Sequence, residues 1–432
     1  MENAKRRRVS SCNVDAQKQP VFPVEIFCEI LARLPVESIL RCRSVCRSWL
    51  SMIRSSFFIN LQQNISNDKP PQFIVQSQSS ADMNNLYLLD MGRCKLREIR
   101  LENIELRTRF KLQLPGLEIR CSCDGLLCMA SDQKLDPIFI CNPITRECVI
   151  LPLSRLKSFV VSHQIGFGFD KLSQKYKIIR EYRTSNNKNE SQFQIITLGE
   201  SSWRQLNPPP NVSVSQLDAA VFWNGSLHWV VDFKTGNESI LALDLSDEKF
   251  HTIPFPKFRF SGEYFELLVL RGSLTIVEHE STTMKIWKVT GNKIEGFSVH
   301  CMDEYDTHVC WNRYHCYTTF CHPNCDSLLL QVCLTDNRNA KRDWFTEFVP
   351  GMEVPQYFHP NIRGLPNHFR TVSFSPSFVS PIAAPMCSKS ATSLREQLSL
   401  ISSEWTSCFG FHCPKPNNGI LTSLFFSKWR WA

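Results

Sequence analysis

The chain has 432 residues, is 43% hydrophobic and carries a formal net charge of +8, which is room for one small helical module and one large β domain, each with its own core. The positive charge is dispersed, and the densest basic stretch past the first residues, Arg93 to Lys111, is broken by Glu98, Glu102 and Glu105, which argues against a dedicated nucleic-acid surface. No window approaches the roughly 18 apolar residues of a membrane span, and MENAKRRRVSSC lacks the apolar core of a signal peptide, so the expectation is a cytoplasmic or nuclear protein with no membrane partner.

Residues 1–20 are polar and without periodicity, as in a disordered basic leader; Lys5-Arg6-Arg7-Arg8 reads either as a nuclear import signal or as a solvated tail. From Val21 the pattern becomes helical. Pro23 suits a first helical position, and Ile26, Phe27, Ile30, Leu31 and Leu34 recur on one face. Pro35 ends that helix, because the residue before a proline is pushed out of the helical region. A second helix is predicted from Val36 and Glu37 to about Arg54, with Ile39, Leu40, Val45, Cys46, Trp49, Leu50 and Ile53 at three- and four-residue steps and Arg41, Arg43, Ser44, Arg47 and Ser48 on the other face. Residues 21–63 thus form a helical unit with more apolar surface than about 40 residues bury alone. Residues 64–72, ending in SNDKPPQ from Ser66 to Gln72, read as a linker.

Beyond the linker the period shortens to that of strands: Phe73 to Val75, Leu86 to Asp90, Gly125 to Ala130, Ile138 to Cys141, Tyr176 to Tyr182, Phe193 to Leu198, Ala219 to Trp223, Ser226 to Val231 and Ile240 to Leu245. A weak repeat joins them, written as a turn glycine, a strand, a polar loop, a second strand and an apolar-Pro ending, with copies from Asp124-Gly125 to Leu151-Pro152 and from Asn224-Gly225 to Ile253-Pro254. Gly166-Phe167-Gly168 and Arg271-Gly272 begin two further copies. Gly225 to Gly272 is a step of 47 residues, the size of a propeller blade. Such blades bury their faces only by stacking around an axis, so the β domain of residues 73–381 reads as a β-propeller, with a β-sandwich as the alternative.

Residues that invite chemistry mostly fail on spacing. His308, Cys310, His315, Cys316, Cys321, His322 and Cys325 are zinc-ligand types but contain no Cys-x-x-Cys. No serine sits in a Gly-x-Ser-x-Gly elbow, and Gly166-Phe167-Gly168 lacks the third glycine of a phosphate loop. The expectation is no metal, no cofactor and no catalytic residue, with the 19 cysteines mostly buried thiols. Trp203, Trp223, Trp229, Trp287, Trp311 and Trp344 belong to blade cores or line a binding pocket.

Residues 23–58 resemble the F-box motif through Glu29-Ile30-Leu31, Leu34-Pro35, Ser38, Arg43-Ser44-Val45-Cys46, Trp49 and Ile53. The following domain resembles the plant F-box-associated domains through Ser122 to Leu127, Asn142 to Arg146, Gly166 to Asp170, Tyr176 to Ile178 and Asn224 to Trp229. Phe22 stands where the family has Leu before the proline, and residues 388–432, within an extension drawn at 382–432, have no family counterpart. The resemblance implies a three-helix F-box followed by an all-β domain, acting as the non-catalytic receptor subunit of a Skp-cullin-F-box ubiquitin ligase. It implies that Pro23, Leu34, Pro35, Val45, Cys46 and Trp49 contact a Skp-type adaptor and, through it, a cullin. Among them Leu34 and Pro35 are assigned to the interface, and Trp49, with Ile53, to the module's core. The β domain would hold an unknown protein target. The alternatives are a non-degradative interaction protein, a glycan-binding β module and a propeller enzyme.

Overall fold

The structure is a computed structural model and describes residues 23–382 except 68–71, 79–84, 91–94, 101–104, 107–116, 132–134, 154–155, 157–159, 216–218, 234–236, 255–263, 271, 280–282, 291–292, 301–313, 322–327, 336–340, 350–355 and 359–360. The expected leader, nearly all of the expected extension, and His308, Cys310, Trp311, His322 and Cys325 lie outside the described residues.

Four helices stand where three were expected: α1 (Val24–Ala32), α2 (Val36–Cys42), α3 (Arg47–Ile53) and α4 (Ser56–Asn67). Pro23 sits one position earlier than expected, as the N-cap of α1, and Pro35 caps α2 in the same way. The single helix predicted from Val36 to Arg54 breaks at residues 43–46. There the Ser44 hydroxyl donates to the Arg41 carbonyl at 2.7 Å, competing with the helical ladder, and Cys46 turns extended at φ −159°. The break lets Ile39, Met52 and Ile53 meet in one core. Helix α4 starts where the Ser55 hydroxyl accepts the Phe58 N–H at 3.2 Å, and it runs through positions 64–67 of the expected linker.

Among the described residues the strands fall into six sheets of four or five strands, antiparallel but for the short strand Glu105–Leu106, which runs parallel to Glu147–Ile150. The innermost strands neighbour one another in the order Phe369–Phe374, Leu117–Cys123, Val160–Asp170, Val221–Trp223, Tyr264–Leu270 and Tyr314–Cys321. Phe345 of the sixth sheet then stacks on Phe369 of the first at 5.2 Å between ring centroids, closing a propeller-like ring. The first sheet is itself composite, since Phe369–Phe374 pairs with Gln72–Ser77 from the other end of the chain.

Asp124-Gly125 and Asn224-Gly225 have positive φ at both residues (49° and 77°, 49° and 82°), as the tight hairpin turns of twisted strands require. Gly166 and Gly168 are not the turn glycines that the repeat suggested; both lie inside the strand Val160–Asp170, the first of its sheet. Glycine is needed there because the neighbouring sheet presses close: a Cβ on Gly166 would stand 2.9 Å from Leu227, and one on Gly168 2.7 Å from Leu245. The same two sheets are joined by a buried charge cluster, in which Lys177 lies 2.9 Å from Glu248 and 3.3 Å from Asp170, while Arg204 makes two bonds to Glu248.

The helical unit and the propeller share one apolar cluster. Val24, Cys28, Leu31, Ile39, Met52, Ile53 and Phe58 pack in continuity with Ile74, Leu127, Cys141, Ile144, Phe374 and Phe378. The apolar excess expected of so small a module is therefore met in part by its own chain. Cys141 and Cys148 depart from the expected buried thiols, being joined as a disulfide across adjacent strands.

Candidate docking surfaces

Two surfaces follow from how the strands run. Inner strands descend to the turns 124–125, 171–174 and 224–225, and the second hairpin of each sheet returns to the same end at 143–146 and 245–249. Gln72 begins at this end and Phe374 finishes there, so the helical unit and the segment 375–382 meet on it. Pro376 offers its carbonyl to the Gln62 amide at 3.2 Å and the Ser66 hydroxyl at 3.3 Å, and Phe378 packs edge-on to Phe58. Asn142 donates to the Ser377 and Val379 carbonyls at 3.0 and 2.7 Å while its Oδ1 accepts the Ile144 N–H at 2.8 Å. The Ser377 hydroxyl donates to the Asp124 carbonyl, and the Tyr176 hydroxyl to the Asp124 carboxylate at 3.2 Å; burial raises the pKa of that carboxyl, and the Tyr176 bond works against it.

The sequence signposts at 122–127, 142–146, 166–170, 176–178 and 224–229 thus all sit at the helical end, and two of them, through Asp124 and Asn142, supply the groups that seat the segment 375–379. At the opposite end of the ring the second strand of each sheet gives way to the third, as at the described turn 185–186.

On the helical unit, α1 turns Val24, Cys28, Leu31 and Ala32 inward and leaves Ile26 at 47% and Ile30 at 50% exposure. These two are four residues apart and so lie on one face. Sequence periodicity placed them on the inward face with Leu31; the signal for their exposure is a stripe wider than the core behind it. Of the residues assigned to adaptor contact, Pro23, Pro35 and Val45 are exposed, and Leu34, Cys46 and Trp49 are half-buried. Trp49 packs edge-on against Phe27 at 4.8 Å, and Leu34 also rests on the shared cluster.

Burial, with help from Glu25 and Glu29, pushes the Cys28 thiol up to about 11, and burial raises Cys42, the opposite of an activated thiolate. Of the tryptophans expected in blade cores or a pocket, Trp203, Trp223, Trp287 and Trp344 are half-buried. Trp229 is buried, Trp203 lies 3.9 Å beneath the Arg180 guanidinium and donates to the Pro152 carbonyl, and Trp223 donates to the Gly272 carbonyl.

Comparison with known proteins matches residues 21–60 to the F-box domain and residues 72–327 to the F-box associated beta propeller domain. The chain is 30% identical over 303 residues to F-box protein At5g49610 of Arabidopsis thaliana, covering 66% of this chain and 80% of that protein. It is 29% identical over 258 residues to F-box protein At3g07870 of the same plant, covering 54% and 60%. It is 22% identical over 299 residues to the putative F-box/kelch-repeat protein At1g12870, also from Arabidopsis thaliana, covering 63% and 69%.

Proposed function

The chain belongs to the plant F-box proteins that carry an F-box-associated β-propeller domain, and from that premise we propose that it is a substrate-recognition subunit of a Skp-cullin-F-box ubiquitin ligase. The observation that supports this reading is the pair Ile26 and Ile30, half exposed on a helix whose other side packs into the apolar cluster that the helices share with the propeller. Exposed large apolar groups on a small module mark a protein contact. With Val45, also 48% exposed, and with Pro23, Leu34, Pro35, Cys46 and Trp49 around them, they form the contact for a Skp-type adaptor. The opposite end of the propeller, away from the turns 124–125 and 143–146 that meet the helical unit, holds the target.

The action is positional. A target held on one end of a rigid body and an adaptor held on the other bring a lysine near a conjugating enzyme at high effective concentration, and this chain performs no covalent step. The test is calorimetry of the full chain with a Skp-type adaptor, comparing wild type with an Ile26→Asp, Ile30→Asp pair. Loss of binding on the order of 100-fold is expected, since two apolar anchors at about 1.5 kcal/mol each are replaced by charges. Unchanged binding by the folded variant would overturn this assignment of the surface.

A further inference from the structure

The Cys141–Cys148 bond has no part in either docking surface, yet it stands at a mechanical junction. The two cysteines face each other across the strands Ile138–Asn142 and Glu147–Ile150, so the bond closes the turn 142–147 at its neck. That turn aims the Asn142 side chain, which grips the carbonyls of Ser377 and Val379. One residue earlier, Pro376 receives Gln62 and Ser66 of α4. Cys141, Cys148 and Ile144 also belong to the apolar cluster that contains Phe58 and Phe378. From the disulfide to α4 is therefore one continuous path of contacts.

We propose that Cys141–Cys148 is a reversible redox clasp: oxidised, it holds the turn that seats α4 on the propeller, and reduced, it lets that seat open. The chemistry is thiol–disulfide exchange with a small thiol such as glutathione. A thiolate attacks one sulfur, the S–S bond breaks, and the departing cysteine thiolate takes up a proton. A second thiol then attacks the mixed disulfide, so two electrons and two protons enter the pair and one molecule of glutathione disulfide leaves. Both cysteines are buried, at 0% and 2% exposure, so the attack waits on local opening of the turn. Exchange is accordingly slow while α4 is seated and faster once it is not.

The same sheet supplies an internal control. Cys121 and Cys128 are also opposite one another but remain thiols, and Cys128 packs into a different cluster, between the second and third sheets.

The experiment is hydrogen exchange on the full chain, equilibrated in glutathione disulfide and again in excess dithiothreitol, with differential alkylation to report which thiols are bonded. Reduction is expected to speed exchange roughly ten-fold or more at 142–147, 376–379 and 57–66 together. A Cys121→Ser, Cys128→Ser variant should behave as wild type, and a Cys141→Ala, Cys148→Ala variant should exchange fast in both buffers. Acceleration confined to 142–147, or alkylation of Cys141 and Cys148 in the oxidised sample, overturns the proposal. If the alanine pair does not fold, the two wild-type samples decide alone.

Discussion

Replacing Gly125 by alanine separates two costs that usually arrive together, because Gly225 provides the same turn without the neighbour. Both glycines have φ near +80° (+77° and +82°), so alanine meets a left-handed penalty of about 1–2 kcal/mol at either site. Around Gly225 nothing lies within 4 Å of a new Cβ, whereas at Gly125 the Cβ would stand 2.7 Å from the Ser375 carbonyl oxygen and 2.8 Å from the Ser377 Cβ. Those atoms have little freedom to retreat, since Ser377 is tied by its hydroxyl to Asp124 and by its carbonyl to Asn142. Overpacking adds about 1–3 kcal/mol, and a broken buried hydrogen bond about 1 kcal/mol more. Gly125→Ala should therefore destabilise by about 3–6 kcal/mol and Gly225→Ala by only about 1–2 kcal/mol. Urea unfolding gives the two free energies, and hydrogen exchange at 57–66 should quicken in the first variant alone. Equal costs, within about 0.5 kcal/mol, would refute the claim that the segment 375–377 is pressed against this turn.

Phe58→Ala, which empties a fully buried site facing Phe378, should cost about 3–5 kcal/mol and release the helices before the propeller, seen as non-coincident unfolding by helical and β-sheet signals. Gly168→Ala, driven against Leu245 and Phe222, should cost about 1–3 kcal/mol in urea unfolding, and a smaller residue at Leu245 should restore part of it. The Arg204 bonds, opposed by burial and helped by Lys177, hold Glu248 down to about 2 from an ordinary 4.5. A depressed carboxylate stabilises fully above its unfolded value, so this contribution is present above pH 4.5 and lost as pH falls toward 2. Glu248→Gln should remove on the order of 1–2 kcal/mol at neutral pH, allowing for solvent screening, and flatten the stability profile across that window.

Much of the propeller was legible because strand alternation is local: the segments read at Phe73, Leu86, Ile138, Tyr176, Phe193 and Ser226 all fall on strands. Gly166 and Gly168 misled because a glycine kept for a neighbour's close approach has the same letter as one kept for a turn. The α2–α3 break was hidden by an apolar period that runs through residues 43–46, where a single serine hydroxyl decides the backbone. Hardest to see was the seat of α4. Its partners at Pro376 and Phe378 lie some 300 positions away (a separation of 314 for Gln62 to Pro376), and no local pattern announces them. The outward turn of Ile26 and Ile30 was missed for a related reason: periodicity ranks faces by apolarity, whereas exposure depends on where the rest of the chain arrives.

The pairing of Gln72–Ser77 with Phe369–Phe374 also sets an order of events on the ribosome. The helices emerge early, but the inner strand of their supporting sheet and the aromatic that covers Phe58 follow some 300 residues later, the separation from Gln62 to Pro376 being 314. At about 5–20 residues per second, the wait between Gln62 and Pro376 is roughly 15–60 s. During that interval the inward face of α4 has no lid, so a nascent or truncated chain shows chaperones and proteases an apolar surface that the finished ring conceals. Completion of the strand Phe369–Phe374 and the segment behind it thus decides when the helical end of the ring is covered.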